Sequence, residues 1–297
     1  MAPLQTANRA ISMLIKRKSI EADANRMAGP RKVRTREWDD ERPAVKPARK
    51  PKFAPVTLSE QSGVRFLHFG TEWIQGAMRI RKPDWIELEY AQQMMCWMLF
   101  CDLSNDMPGH VAQLGLGTGA LTKFCYRQFP RARVTAVELN PSVIAICNSM
   151  FKLPPEDERL AVLEMDALDF VNDPARLGTL DALQVDLYDA TARGPVLDTP
   201  EFYQSCAACL TDGGAMTVNL FGDHPSYAKN LKAMRYAFAE VLCLPEVHEG
   251  NVVAIAFKQR RGLDFAALYE RAVQIHAQTR LPAKSWVNGF KARYAPA

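Results

Sequence analysis

The stretch VDLYDATARGP, Val185 to Pro195, ends an apolar run in two aspartates three residues apart and then breaks at Gly194-Pro195. A carboxylate at the mouth of a buried strand loses hydration, and only a cation or hydrogen-bond donors offset that cost. Asp186 and Asp189 thus read as receivers of a cationic group. Paired carboxylates also suit proton abstraction, with one as base and the other as anchor. The plainer alternative makes Asp186 a strand-end cap and Asp189 a solvated loop residue.

A second cluster lies upstream. LGLGTGALT sets Gly115, Gly117 and Gly119 between an apolar run and a helical pattern, with Thr118 among them. Glycines at this spacing let the backbone turn tightly and approach a ligand closely. Glu138 ends the next strand pattern, 19 residues after Gly119, where a carboxylate can accept both hydroxyls of a ribose. Asp166 ends the third, where its carboxylate and the backbone of Ala167 can read an adenine edge. Together these features define a nucleoside crevice at the carboxyl edge of a sheet. No P-loop lysine follows the glycines, so the expected ligand is an adenosyl group rather than ATP.

Alternating elements must position these residues. Buried-strand runs (VAQLGLG, RVTAVEL, LAVLEM, LDALQVDL, AMTVNLF) alternate with helical patterns (ALTKFCYRQF, PSVIAICNSMF, ALDFV, PEFYQSCAACL, PSYAKNLKAMRYAFAEV). This predicts an α/β fold with a mostly parallel sheet covered on both faces. VLCLPEV and NVVAIAFK are separated by only three residues, too few for a parallel crossover. The last strand is therefore reversed. That reversal separates the S-adenosylmethionine-binding sheet, with seven strands, from the dinucleotide-binding one. RGLDFAALYERAVQIHAQTRL makes a closing helix. Ahead of the sheet, VRFLHF and EWIQGAMRI flank Gly70-Thr71 and read as one β-hairpin. DWIELEYAQQMMCWMLFCDL, from Asp84, has helical spacing. The domain reading is a basic arm over 1–55, a short β-hairpin region over 56–83 and a catalytic domain over 84–297.

From about Gly63 to Lys258 the chain resembles the spermidine/spermine synthases, the polyamine aminopropyltransferases. DLYDATARGPVLDTPEFY is similar to the segment carrying that family's catalytic loop. EWIQ resembles a short motif ending in a substrate-facing glutamine, here Gln75. ELEYAQQMM resembles a tyrosine-bearing stretch, with Tyr90 one place out of register. The resemblance implies that decarboxylated S-adenosylmethionine, or S-adenosylmethionine itself, is the co-substrate, that a small amine such as putrescine is the acceptor, and that no metal takes part. It implies Asp186 as base, Asp189 as amine anchor, and Tyr90 and Tyr188 as orienting hydroxyls. Three positions depart from the pattern. Thr118 stands where the family's glycine loop carries an aspartate, Ala190 replaces a proline, and Val247 and His248 occupy the place of a tyrosine. Thr118 keeps open a methyltransferase on the same scaffold.

Bulk composition bounds the rest. The 297 residues carry a net charge of +4, but residues 1–55 hold 14 Lys and Arg against 6 Asp and Glu, and the remainder is mildly acidic. Such an arm reads as a solvated linker, or as a nucleic-acid contact serving a non-catalytic, RNA-associated protein. No apolar run reaches the ~20 residues of a membrane span. Seven scattered cysteines and no secretory leader predict a reducing cytoplasm. The expected assembly is a homodimer.

Overall fold

The computed structural model describes residues 53–101, 108–188, 194–247 and 250–295. Of the arm read over 1–55, residues 1–52 lie outside the described residues.

Two sheets are present among them. A small antiparallel sheet has the order β1 (Val56–Gln61), β2 (Val64–Phe69), β3 (Gly76–Arg79). The expected hairpin is thus β2 and β3, and β1 adds a third strand through the tight turn at Ser62 and Gly63, both at positive φ. The DWIELEY stretch is less helical than its spacing predicts. It forms one short helix, α1 (Glu89–Gln93), and then a 3-10 run over Met94–Leu99 that is wholly buried. A run apolar on every side has no solvent face to select one helical period, and packing decides its geometry.

The large sheet contains β4 (His110–Leu114), β5 (Arg133–Glu138), β6 (Leu160–Glu164), β7 (Leu180–Val185), β8 (Leu210–Phe221), β9 (Glu240–Cys243) and β10 (Asn251–Phe257). Their spatial order is β6-β5-β4-β7-β8-β10-β9. The first five are parallel neighbours, and β10 runs antiparallel between β8 and β9. The short β9–β10 connection therefore does impose the reversed strand.

Helices cover both faces. α2 (Ala120–Gln128), the 3-10 run, α7 (Phe265–Thr279) and α8 (Ala283–Tyr294) share one core with Trp97 and Trp286. α4 (Ala167–Asn172), α5 (Pro200–Cys209) and α6 (Ser226–Ala237) share the other. α3 (Pro141–Met150) packs with the small sheet, through Leu67, Met78, Val143 and Cys147. Caps set the starts. Asn140 accepts from the Ser142 amide and Thr199 from the Phe202 amide, each with proline at the first helical position. α8 has no counterpart in the sequence reading. Its apolar positions are few, and Gly289 sits inside it because a Cβ there would meet Pro245 at 2.5 Å.

Candidate active site

The strand order reverses between β4 and β7, and a crevice opens beyond their carboxyl ends, the usual ligand place in such a sheet. A cleft partly open to solvent is lined by Gln75, Tyr90, Gly115, Gly117, Thr118 and Asp186, among others. Residues scattered over more than a hundred positions of sequence thus meet in one place.

The glycine turn is fitted to the strand beside it. Gly115 has φ +95°, its amide donates to the Val137 carbonyl at 2.8 Å, and a Cβ there would lie 2.3 Å from the Asp186 carbonyl oxygen. No side chain fits between the two backbones. Thr118 is 3 % exposed, and its hydroxyl donates to the Ala77 carbonyl at 3.4 Å. Gly76 admits it closely, since a Cβ there would lie 2.6 Å from Thr118 Cγ2. The small sheet therefore rests on the glycine turn and closes one wall of the cleft. Gln75 holds this edge through its amide, which donates to the Leu67 carbonyl at 2.8 Å.

Glu138 ends β5 beneath the turn. One carboxylate oxygen accepts from the Leu116 amide at 3.1 Å and the other from the Asn140 amide at 2.8 Å. Burial raises its pKa above the ordinary carboxylate value, and these backbone N–H groups oppose the rise. The Leu139 and Gly117 amides act on the same carboxylate, so the turn's backbone surrounds it. Asp166 is half-buried and caps α4, its Oδ1 accepting from the Leu168 amide at 2.8 Å. Its first task is thus the helix cap, and Ala167 follows as the first helical residue. Two exposed leucines lie close in sequence to these acceptors, Leu139 one residue after Glu138 and Leu168 two after Asp166.

At the end of β7, Asp186 accepts from two sides. Asn219 Nδ2 donates to its Oδ1 at 2.9 Å, and Tyr90 Oη donates to its Oδ2 at 3.4 Å. Burial raises the Asp186 pKa, and the bonds from Asn219 and Tyr90 pull it back. Tyr188 donates its hydroxyl to the Asn219 carbonyl at 3.3 Å, and burial together with the nearby Asp186 holds its phenol well above the usual value. The one-place offset of Tyr90 does not keep it from Asp186. Asp189 lies outside the described residues, as do Ala190 and His248.

Sequence reasoning missed Asn219. The available signal was a lone amide within AMTVNLF, an otherwise apolar strand apart from Thr217, where an unpartnered polar group is costly. Beyond the undescribed 189–193, the Val196 amide returns to the Leu187 carbonyl at 3.2 Å. Asp198 is 6 % exposed and pairs with Lys229 Nζ at 2.8 Å, while its Oδ2 has no partner. Among the described residues no group of three His, Cys, Asp or Glu is placed to hold a metal ion.

The chain is similar to known proteins over most of its length. A polyamine aminopropyltransferase of Chromobacterium violaceum is 32 % identical over 238 residues, 80 % of this chain and 89 % of that protein. A probable spermidine synthase from Corynebacterium glutamicum superposes with TM-score 0.62 at 17 % identity, over 82 % of this chain and 93 % of that one. Human methyltransferase-like protein 13, in complex with SAH, superposes with TM-score 0.59 at 22 % identity, over 65 % of this chain and 93 % of that one. These two likenesses establish the fold. The spermine/spermidine synthase domain itself matches residues 89–264, which span α1 to the N-cap of α7, and by that match and the identity above the chain belongs to the spermine/spermidine synthase family.

Proposed function

We propose that the chain is an aminopropyltransferase of polyamine biosynthesis, moving an aminopropyl group from decarboxylated S-adenosylmethionine to a small amine such as putrescine. The observation that carries this reading is the shared cleft. Asp186 and the glycine turn line the same cleft, which supports a base working beside a bound nucleoside.

The donor's ribose diol binds Glu138. Its adenine lies between Leu139 and Leu168, against Asp166 and the Ala167 backbone. Its sulfonium side chain runs past Gly115, Gly117, Thr118 and Gly119 toward Gln75. The acceptor arrives as an ammonium and gives a proton to Asp186, while Tyr90 holds the freed amine in line. The nitrogen then forms a bond to the carbon beside sulfur, and the carbon–sulfur pair returns to sulfur. Methylthioadenosine leaves, and the lengthened amine carries the new bond. Holding both reactants in line supplies much of the rate, since the chemistry needs only one proton acceptor. Asp189 anchors the acceptor's distant ammonium.

A raised Asp186 pKa suits this role, because a base works best with a pKa near the working pH. All seven cysteines are buried, which agrees with a reducing cytoplasm. A homodimer is the expected assembly.

Thr118 favours one competing reading, a methyltransferase. A neutral threonine at the position of an aspartate does not repel the carboxylate of S-adenosylmethionine. Incubation with either nucleoside and putrescine separates the two by product. Methylthioadenosine and spermidine are expected from the decarboxylated donor. S-adenosylhomocysteine formed from the carboxylated donor, with no spermidine from the other, would overturn the aminopropyl reading.

A further inference from the structure

Three adjacent strands end in a row of polar side chains at the cleft. Asp186 follows β7, Asn219 lies on β8, and Asn251 opens β10. The registers Val185↔Val218 and Val253↔Asn219 bring the three together across the sheet. Asn251 is diagonal to Asn219, a spacing that amide side chains span. Asn251 Nδ2 donates to Asn219 Oδ1 at 2.9 Å, and Asn219 Nδ2 donates to Asp186 Oδ1 at 2.9 Å. Both amides are buried, Asn219 at 2 % exposure and Asn251 at 8 %.

Charge fixes the direction of this chain. An ionised carboxylate only accepts, so Asn219 must present its NH₂ to Asp186. Its carbonyl oxygen then faces Asn251, which must present an NH₂ in turn. A protonated Asp186 that donated toward Asn219 would require both buried amides to turn over. Two amides oriented in series also polarise one another, which strengthens the final bond.

We infer that Asn219 and Asn251 are positioning residues, a two-amide relay that fixes the orientation and the ionised state of Asp186. The inference rests on the proposed role of Asp186. The relay turns one carboxylate edge toward the sheet and leaves the Tyr90 side toward the amine. It also limits how far burial raises the carboxyl pKa. Among the described residues, Tyr90 from α1 and Tyr188 two positions along are the titratable groups that act on or respond to Asp186. The glycine turn beside it contributes backbone, and the other donor is an amide.

The test is a direct titration of Asp186, read as its ¹³C-carboxyl NMR signal and assigned by its loss in Asp186→Asn. In Asn219→Leu its pKa should rise by about one unit, the size set by one bond to a charged group. In Asn251→Leu, which has no direct bond to Asp186 and reaches it through Asn219, with Tyr188 as its other neighbour, the rise should be smaller but in the same direction. The double variant should show less than the sum of the two shifts. If Asn219→Leu fails to fold, the Asn251→Leu shift alone decides. An unmoved Asp186 pKa in the folded variants overturns the relay, whatever their activity. Failure of the aminopropyl reading appears separately, as absence of methylthioadenosine from the wild type. With activity present, the acid limb of kcat/KM should move with the NMR value, and methylthioadenosine binding should stay within about twofold.

Discussion

Gly115 and Asp186 lie back to back, so close that a methyl group on the glycine would sit 2.3 Å from the aspartate's carbonyl oxygen. The Asp186 amide also donates to the Leu114 carbonyl at 2.9 Å. The glycine turn and the proposed base are therefore in backbone contact, and displacing one displaces the other. Gly115→Ala should cost about 1–3 kcal/mol of stability, from its φ of +95° and from the clash. Transfer should fall far more than the loss of folded protein explains. Thermal melts beside turnover per folded molecule would check this; equal losses would limit the glycine to a structural role.

Asp186→Asn keeps the shape of the base but takes no proton at neutral pH. Turnover should fall by about 10² to 10⁴. Methylthioadenosine affinity, measured by calorimetry, should change little. Asp189→Asn should instead raise the KM for a dicationic acceptor. Full turnover in Asp186→Asn would return this residue to a strand-end cap.

Glu138 supports the turn and is the proposed ribose acceptor. Glu138→Gln replaces one accepting oxygen with an NH₂ that faces either the Leu116 or the Asn140 amide. Two losses are expected. Adenosyl affinity should drop by about 1.5–3 kcal/mol, and the melting temperature should drop even without ligand. A lower melting point with unchanged methylthioadenosine binding would confine Glu138 to the turn.

Lys123, one helical turn after Gly119 in α2, is 1 % exposed, and its ammonium donates to the Phe151 carbonyl at 2.7 Å. Burial lowers its pKa to about 8. Between pH 8 and the ordinary value near 10.5 the unfolded chain holds the extra proton, so stability rises with pH across that window. Below pH 8 the burial cost is fully present. Lys123→Met should therefore stabilise the protein at pH 7 by about 1–2 kcal/mol, after loss of the carbonyl bond. Its advantage should fade as pH rises toward 10.5. Denaturant unfolding of both proteins at pH 7 and pH 10 measures this, and a constant difference would mean that the lysine does not titrate as described.

The sheet was legible because strands buried on both faces read as unbroken apolar runs, and because three residues between VLCLPEV and NVVAIAFK permit only a reversed neighbour. The glycine turn and Asp186 were legible because their residue types are costly anywhere else. Other parts were not. β1 exposes most of its residues, so TLSEQ carries no apolar alternation. The 3-10 run Met94–Leu99 is buried all round, so periodicity could not choose its helix type. Asn219 and Asn251 carry no motif, and their meaning comes from strand order, which sets them beside Asp186. Asp166 shows the reverse, a residue singled out for a ligand that is first a helix cap.

Thr118 decides how the cleft treats the donor's tail. Decarboxylated S-adenosylmethionine ends in a bare ammonium, and S-adenosylmethionine ends in a zwitterion. The threonine hydroxyl is already committed to the Ala77 carbonyl, so it offers the ammonium no charge and the carboxylate no repulsion. Discrimination between the two nucleosides should therefore be weak. Thr118→Asp should shift preference toward the decarboxylated ligand by about 1–3 kcal/mol, the range for a bond to a charged group. The added carboxylate must turn away from the Ala77 carbonyl and into the cleft, which Gly76 leaves no room to avoid. Calorimetric binding of both nucleosides to both proteins is the measurement. If the wild type already rejects S-adenosylmethionine by 100-fold or more, about 2.7 kcal/mol, another acid supplies the charge. Asp189, the proposed amine anchor beside Asp186, would then be the first residue to replace.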